Sequence, residues 1–267
     1  MSLFVVRPLR DARTLITGAS AGIGRAVAAE FARRGARLLV NARREDVLRE
    51  LAAELRGRYG AEVEVVAGDV TDPAVRRSLV AAAQAHLGGL DLLVNNAGVG
   101  AFGRFDEATP DRLRRIFELD FFATVELTRA ALPVLRNGRR PAIVNIGSIL
   151  GYRGIPLAAE YCAAKFALRG FCESLRAELH GQGVGVVLVS PGTTDTGFFD
   201  NALEMRSLLP WRKSGRRGTS PEYVARRTAD AVEHDRAEIV PSLSGKLLTT
   251  ASRLFPRLID VVMRRQI

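Results

Sequence analysis

The sequence predicts an α/β protein: a single doubly wound domain on a mainly parallel sheet of about seven strands. Three observations point there. Short apolar runs alternate with longer amphipathic stretches, the strand–helix rhythm of such sheets. Several of the short runs, among them Leu92-Leu93-Val94 and Val186-Val187-Leu188-Val189, are apolar at every position. Strands read that way when helices cover both faces. The length of 267 residues, with 47% hydrophobic content, suits one large α/β domain better than two small ones.

The elements follow in order. A strand over 14–17 runs into a glycine turn and a helix over 23–34. A strand over 37–41 precedes a helix over 45–59, and a strand over 63–67 precedes one over 73–87. The fourth strand, 90–95, leads to one long helix over 110–136. Strand 142–147, helix 158–181 and strand 185–190 complete the repeating pattern. Residues 198–218 break the alternation, before a helix over 221–233 and a short last strand over 238–240. The tail is amphipathic and interrupted at Pro256. We therefore expect a core over 14–196, a lid over 197–220 and a tail over 246–267.

The formal net charge is +10, carried almost wholly by arginine; the lysines are Lys165, Lys213 and Lys246. The arginines are interspersed with acidic residues and form no basic block with interleaved aromatics, so a solvated basic surface is preferred to a nucleic-acid site. Cys162 and Cys172 fall on one helix, too far apart to bridge, and neither has metal-ligand spacing. Both read as reduced thiols, and no metal is expected. No apolar run is long enough for a membrane span, and the first ten residues are too quickly charged for a signal peptide. These features point to the cytoplasm.

Thr17-Gly18-Ala19-Ser20-Ala21-Gly22-Ile23-Gly24 joins the first strand to the first helix. Gly18 permits the tight turn, Gly22 lets the backbone approach a pyrophosphate, and Gly24 lets the helix pack closely on the sheet. The anion would rest on the helix N-terminus. Glycines also make ordinary turns; the strand before and helix after raise the dinucleotide reading. After the second strand comes Asn41-Ala42-Arg43-Arg44. An acidic residue here suits the ribose hydroxyls of NAD, whereas arginine suits a 2′-phosphate, so NADP(H) is preferred to NAD(H). Arg25 offers a second positive group. The bland alternative is a solvated helix N-terminus.

Tyr161-x-x-x-Lys165 has helical i, i+4 spacing, which places both side chains on one face. A free phenol has a pKa of about 10. A nearby ammonium stabilises the phenolate and brings the group into range for acid/base work on an alcohol or carbonyl oxygen. Ser148 lies at the end of the fifth strand, where ligands bind in an open α/β sheet, and can donate to that oxygen.

With the glycine turn, Asp69, Asn95-Asn96-Ala97-Gly98, Ser148, Tyr161-x-x-x-Lys165 and Pro191-Gly192 in this order and spacing, the chain resembles the classical short-chain dehydrogenases/reductases over roughly 14–196. The resemblance implies a Rossmann-type fold and a cofactor site over Gly18, Ser20, Ala21, Gly22, Ile23, Gly24, Arg43 and Arg44. By the same resemblance Asp69 meets the adenine amino group with the backbone of Val70 beside it. Asn96, Ala97 and Gly98 line the adenine-ribose side. Tyr161 and Lys165 reach the nicotinamide ribose end, Pro191 and Gly192 flank the nicotinamide, and Thr194 and Thr196 reach the carboxamide or pyrophosphate. Asp69 capping a turn and Pro191-Gly192 ending a strand are the plain alternatives. Ser148, Tyr161 and Lys165 would be catalytic, and a homodimer or homotetramer is expected through the long helices after the fourth and fifth strands.

One departure stands out. The family usually has asparagine in the long helix before Ser148, holding a water beside the lysine; the matching position here is Asp120. A carboxylate cannot donate as an amide does. It can accept from that water, and it favours charged Lys165. A working site with an altered proton relay is expected, a weakened site being the competitor.

The loops after the fourth, fifth and sixth strands offer Phe102, Phe105, Leu150, Tyr152, Ile155, Phe198, Phe199, Leu203, Met205, Leu208, Leu209 and Trp211. They make a wall for a bulky hydrophobic carbonyl or alcohol, or they pack a lid onto the body. Arg206, Arg212, Arg216 and Arg217 meet an acidic carrier or are solvated. The tail covers the pocket or a subunit contact in preference to lying on an anionic bilayer. An active oxidoreductase is the leading reading. A non-catalytic cofactor-binding sensor is the rival, and the presence of Ser148, Tyr161 and Lys165 weighs against it.

Overall fold

The computed structural model describes residues 6–205 and 218–264. Seven parallel strands form the central sheet: β1 (Arg13–Thr17), β2 (Arg37–Ala42), β3 (Val63–Ala67), β4 (Leu92–Asn95), β6 (Ala142–Ile146), β7 (Gly185–Val189) and β9 (Glu238–Ile239). The small strands β5 (Ala101–Phe102) and β8 (Glu204–Met205) pair with each other outside it. The order across the central sheet is β3-β2-β1-β4-β6-β7-β9. The strand order therefore reverses between β1 and β4, which opens a crevice at their carboxyl ends.

Helices cover both faces. On one side lie α1 (Gly22–Arg33), α2 (Glu45–Tyr59) and α7 (Pro221–Glu233). On the other lie α3 (Pro73–Leu87), α5 (Ala123–Leu135) and α6 (Ala159–Leu179). Strand side chains alternate between these layers with the two-residue period. Ile16, Val40, Val94 and Val144 face the α1 side, while Leu15, Leu39, Leu93 and Ile143 face the α5 side. All eight are fully buried. The seven-strand parallel expectation holds, and the uninterrupted apolar runs are those buried on both faces.

The expected long helix over 110–136 is not one regular helix. It consists of α4 (Pro110–Phe117), a π-helical turn (Glu118–Phe122) and α5. Wider π turns inside α-helices occur mostly as single turns, often at functional sites. Here the turn carries Asp120, which is 1% exposed. The fourth strand begins at Leu92 rather than residue 90, and the preceding Asp91 anchors its start through its carboxylate. It accepts from the Arg13 and Arg139 backbone N–H groups and binds the Arg13 guanidinium through two contacts of 2.7 and 3.0 Å.

Pro256 divides the tail into α8 (Leu243–Leu254) and α9 (Pro256–Arg264), as the proline predicts. Cys162 and Cys172 share α6, unbridged and buried. Of the expected lid, residues 206–217 lie outside the described residues, and with them Arg206, Leu208, Leu209, Trp211, Arg212, Arg216 and Arg217. Among the described residues no helix is long and apolar enough to cross a membrane.

Candidate active site

The glycine turn at the end of β1 has the backbone its sequence requires. Gly18 and Gly22 have φ of +65° and +55°, conformations costly for residues with a Cβ. Gly24 is needed for a different reason: a Cβ there would stand 2.3 Å from both the Gly18 carbonyl oxygen and Asn96 Nδ2. The turn is tied to the end of β4. Asn96 Nδ2 donates to the carbonyls of Thr17 and Gly18, at 3.0 and 3.1 Å. Thr17 Oγ1 accepts from the backbone N–H groups of Asn96 and Ala97. Thr17 thus has a supporting role that its place in the motif did not reveal.

A cleft of about 1000 Å³ runs from this turn across the carboxyl ends of the strands. Its walls include Gly18, Ser20, Ala21, Gly22 and Ile23 at the turn, and Arg43 and Arg44 after β2. Asp69 and Val70 follow β3, Asn96, Ala97 and Gly98 follow β4, and Pro191, Gly192, Thr194 and Thr196 follow β7. Ser148, Tyr161 and Lys165 complete it. Gly24 and Asp120 stand behind the wall. Asp69 Oδ1 accepts from the backbone N–H and hydroxyl of Thr71, so this residue does form a turn as well as face the cleft. Arg43 and Arg44 are exposed and have no carboxylate partner among the described residues. Arg25 points elsewhere, onto Glu54 at 2.7 Å and Glu50 at 3.8 Å.

The residues of this cleft fit a dinucleotide. The turn leaves no room for a Cβ at Gly24, presents free N–H groups at the start of α1, and opens onto an elongated cavity.

Tyr161 and Lys165 lie in the first two turns of α6, both nearly buried. Lys165 Nζ stands 5.5 Å from the Tyr161 ring centroid and 3.0 Å from Asp120 Oδ2. The other Asp120 oxygen accepts from the Val99 backbone N–H at 2.7 Å. The carboxylate therefore contacts the lysine directly. The π turn directs it inward, and the small residue Gly98 makes space, since a Cβ there would be 3.3 Å from Asp120 Oδ1.

Burial dominates the titration of this group. It pushes the Tyr161 phenol up; the Lys165 charge pulls it down, the Asp120 charge pushes it up again, and a hydrogen bond with Ser148 lowers it. Burial also pushes the Asp120 carboxyl up, against Lys165 and the Val99 amide. For Lys165 burial works against the ammonium, but the charges of Asp120 and Tyr161 outweigh it and hold the lysine above its ordinary value.

Beyond Tyr161 the cavity wall is aromatic. Phe102 is 6.0 Å from the Tyr161 ring, 6.4 Å from Phe198 and 5.3 Å from Phe199, centroid to centroid. Leu150, Ile155 and Leu203 also line it. Two expected wall residues are elsewhere. Phe105 is 72% exposed on a short 3-10 turn. Tyr152 turns away, its hydroxyl bonded to Glu238 and Ser190 and its ring 4.1 Å under the Arg169 guanidinium. The side chain of Met205 lies outside the described residues. Leu248 and Met263 enter the wall from the tail expected to cover the pocket, whereas Ser242 and Gly245, just before it, were not anticipated from the sequence.

The chain matches the family described as short chain dehydrogenase over residues 12–207. It belongs to that family. An uncharacterized oxidoreductase of Bacillus subtilis, YxnA, is 34% identical over 265 residues, covering 97% of this chain and 73% of the relative. Hydroxysteroid 11-beta-dehydrogenase 1-like protein B of Xenopus laevis is 36% identical over 235 residues, 86% of this chain and 78% of the relative. A short-chain dehydrogenase/reductase from Burkholderia phymatum in complex with NAD superposes with a TM-score of 0.86 at 28% identity, covering 94% of this chain and 96% of that one. A short-chain dehydrogenase from Burkholderia cenocepacia in complex with NADP gives a TM-score of 0.77 at 28% identity, over 88% and 97%. This short-chain dehydrogenase is thus an oxidoreductase that uses a nicotinamide cofactor on CH–OH groups.

Proposed function

We propose that the enzyme transfers a hydride between NADP(H) and the carbonyl or secondary alcohol of a bulky hydrophobic substrate, with Tyr161 as general acid and base. The observation that carries this reading is the buried series Asp120–Lys165–Tyr161 beside Ser148, set between the glycine turn and an aromatic wall. A nicotinamide cofactor bound along the cleft supplies the hydride for reduction or accepts it in oxidation. Ser148 donates a hydrogen bond to the substrate oxygen and orients it. Tyr161 gives that oxygen a proton during reduction and takes it back during oxidation. Lys165 stabilises the phenolate that remains, and Asp120 holds Lys165 in place. Phe102, Phe198 and Phe199 exclude water and offer apolar surface to the substrate.

Three features support NADP(H): Arg43 and Arg44 border the cleft, both lack a carboxylate partner among the described residues, and the stretch Asn41-Ala42-Arg43-Arg44 at the end of β2 holds no acid. The hydrophobic substrate class is supported by the aromatic wall and by the steroid alcohol in the name of one relative.

The test follows NADPH and NADH oxidation in parallel over a panel of hydrophobic ketones and aldehydes. Turnover that prefers NADPH and disappears in Tyr161→Phe is expected. Tight NADPH binding with no turnover on any carbonyl would favour a cofactor-binding sensor instead.

A further inference from the structure

The tail has two faces. Its inner face belongs to the cleft: Leu248 of α8 and Met263 of α9 line the cavity. Two contacts fix it there. Gly245 is pressed so close to the body that a Cβ would stand 3.1 Å from Ile149, the residue after Ser148. Asp260 pairs with Arg153 in the loop after β6.

The outer face is apolar and exposed. Leu243, Leu247 and Leu254 share one face of α8 by helical spacing, and Leu258, Val261 and Val262 share one face of the following α9. They range from 44% to 73% exposed. A globular surface normally carries such residues singly, not in stripes. Lys246, Arg253, Arg257 and Arg264 flank the stripe, all exposed and without a carboxylate partner among the described residues. Asp260 is the only acidic residue over 243–264; its side chain is half exposed and is paired with Arg153.

We propose that the α8–α9 tail docks the mouth of the cleft on an anionic lipid surface. An apolar face bordered by arginine and lysine, its one neighbouring acid, Asp260, already paired with Arg153, is complementary to the acyl boundary and negative headgroups of such a membrane. A second copy of the chain fits less well. A two-fold contact would bring the same four cations of each copy together around one apolar patch. Docked this way, the inner residues Leu248 and Met263 form a continuous apolar path from the bilayer to the aromatic wall. That consequence rests on the proposed reaction, but the docking itself does not.

The experiment is co-sedimentation of the full chain with vesicles of phosphatidylcholine, with and without phosphatidylglycerol. Binding is expected only to the anionic vesicles and is expected to weaken as salt rises. Each cation near such a surface contributes about fivefold, so Arg253→Gln with Arg257→Gln should lower partitioning about 25-fold. Leu247→Glu with Leu258→Glu should abolish it. Neither pair lines the cavity, so NADPH oxidation with a water-soluble ketone reports whether each variant is folded and active. Equal partitioning of wild type and variants would overturn the proposal. So would wild type that ignores anionic vesicles but loses an oligomeric state in Leu247→Glu with Leu258→Glu, which would assign the face to a second copy.

Discussion

Replacing Asp120 by asparagine removes one negative charge from the interior with almost no change of shape. The remaining amide oxygen still accepts from Val99, so the local backbone is retained. The 5.5 Å from Lys165 Nζ to the Tyr161 ring and the 3.0 Å from Nζ to Asp120 Oδ2 bound the carboxylate–ring separation at about 8.5 Å. At an effective dielectric of about 20, two charges at that distance interact by roughly 2 kcal/mol. The Asp120 charge pushes the Tyr161 phenol up, so its removal lowers the phenol. On the proposed reaction the Tyr161 phenolate is the active form in alcohol oxidation, and activity rises as pH passes the phenol's titration. The rising limb of kcat against pH in Asp120→Asn should therefore move to lower pH. Below the limb, the gain in phenolate corresponds to about thirtyfold in rate. The plateau above the limb should stay within a few-fold, because the proton still passes through Tyr161.

The same substitution leaves a buried ammonium without its counter-ion, at a cost of about 3 kcal/mol in urea unfolding. Activity at moderate pH and stability should thus move in opposite directions. A limb that stays in place or moves upward would refute this electrostatic account. A plateau that rises by orders of magnitude would show that the aspartate site is a weakened one.

Two further substitutions test other parts of the structure. Replacing both Arg43 and Arg44 by alanine removes the cations bordering the cleft after β2, and kcat/KM for NADPH should fall by at least about tenfold while that for NADH is little changed; equal losses would discard the 2′-phosphate assignment. Asp91→Asn should cost about 3 kcal/mol in urea unfolding at neutral pH, since it leaves Arg13 unpaired at a buried site. Burial works to raise the Asp91 carboxyl, but the Arg13 guanidinium and the Arg13 and Arg139 amides hold it below its ordinary value. Its stabilisation is therefore present above the usual carboxylate range and lost as pH falls through the lowered value. The variant should show a shallower loss of stability in acid, and an unchanged slope would refute the pairing.

How much was legible in the sequence depended on whether the determining interaction was local. The β1 turn was readable because the demands on it are backbone demands. A positive φ at Gly18 and Gly22 and the absence of a Cβ at Gly24 restrict residue type directly. Tyr161 and Lys165 were readable because i, i+4 spacing on one helix fixes their relative placement. Pro256 marked its own break.

The π turn at Glu118–Phe122 was not readable. Neither helix propensity nor apolar periodicity distinguishes it from a continuous helix over 110–136, because its cause is tertiary. The turn carries Asp120, whose two oxygens meet Lys165 and the Val99 amide, contacts that come from other elements and leave no mark on local periodicity. The same distinction explains Tyr152 and Phe105. Both occur in the correct loops, but Glu238, Ser190 and Arg169 draw Tyr152 away, and the exposed 3-10 turn leaves Phe105 in solvent.

It also explains the tail. Its amphipathic spacing was evident, yet spacing alone left three occupants for the apolar stripe. The structure shows that the cleft takes Leu248 and Met263, which lie off the stripe, so pocket covering does not use the exposed face. If the stripe docks as proposed, pocket covering and docking use different faces, and a change at Leu247 should alter the second while sparing the first.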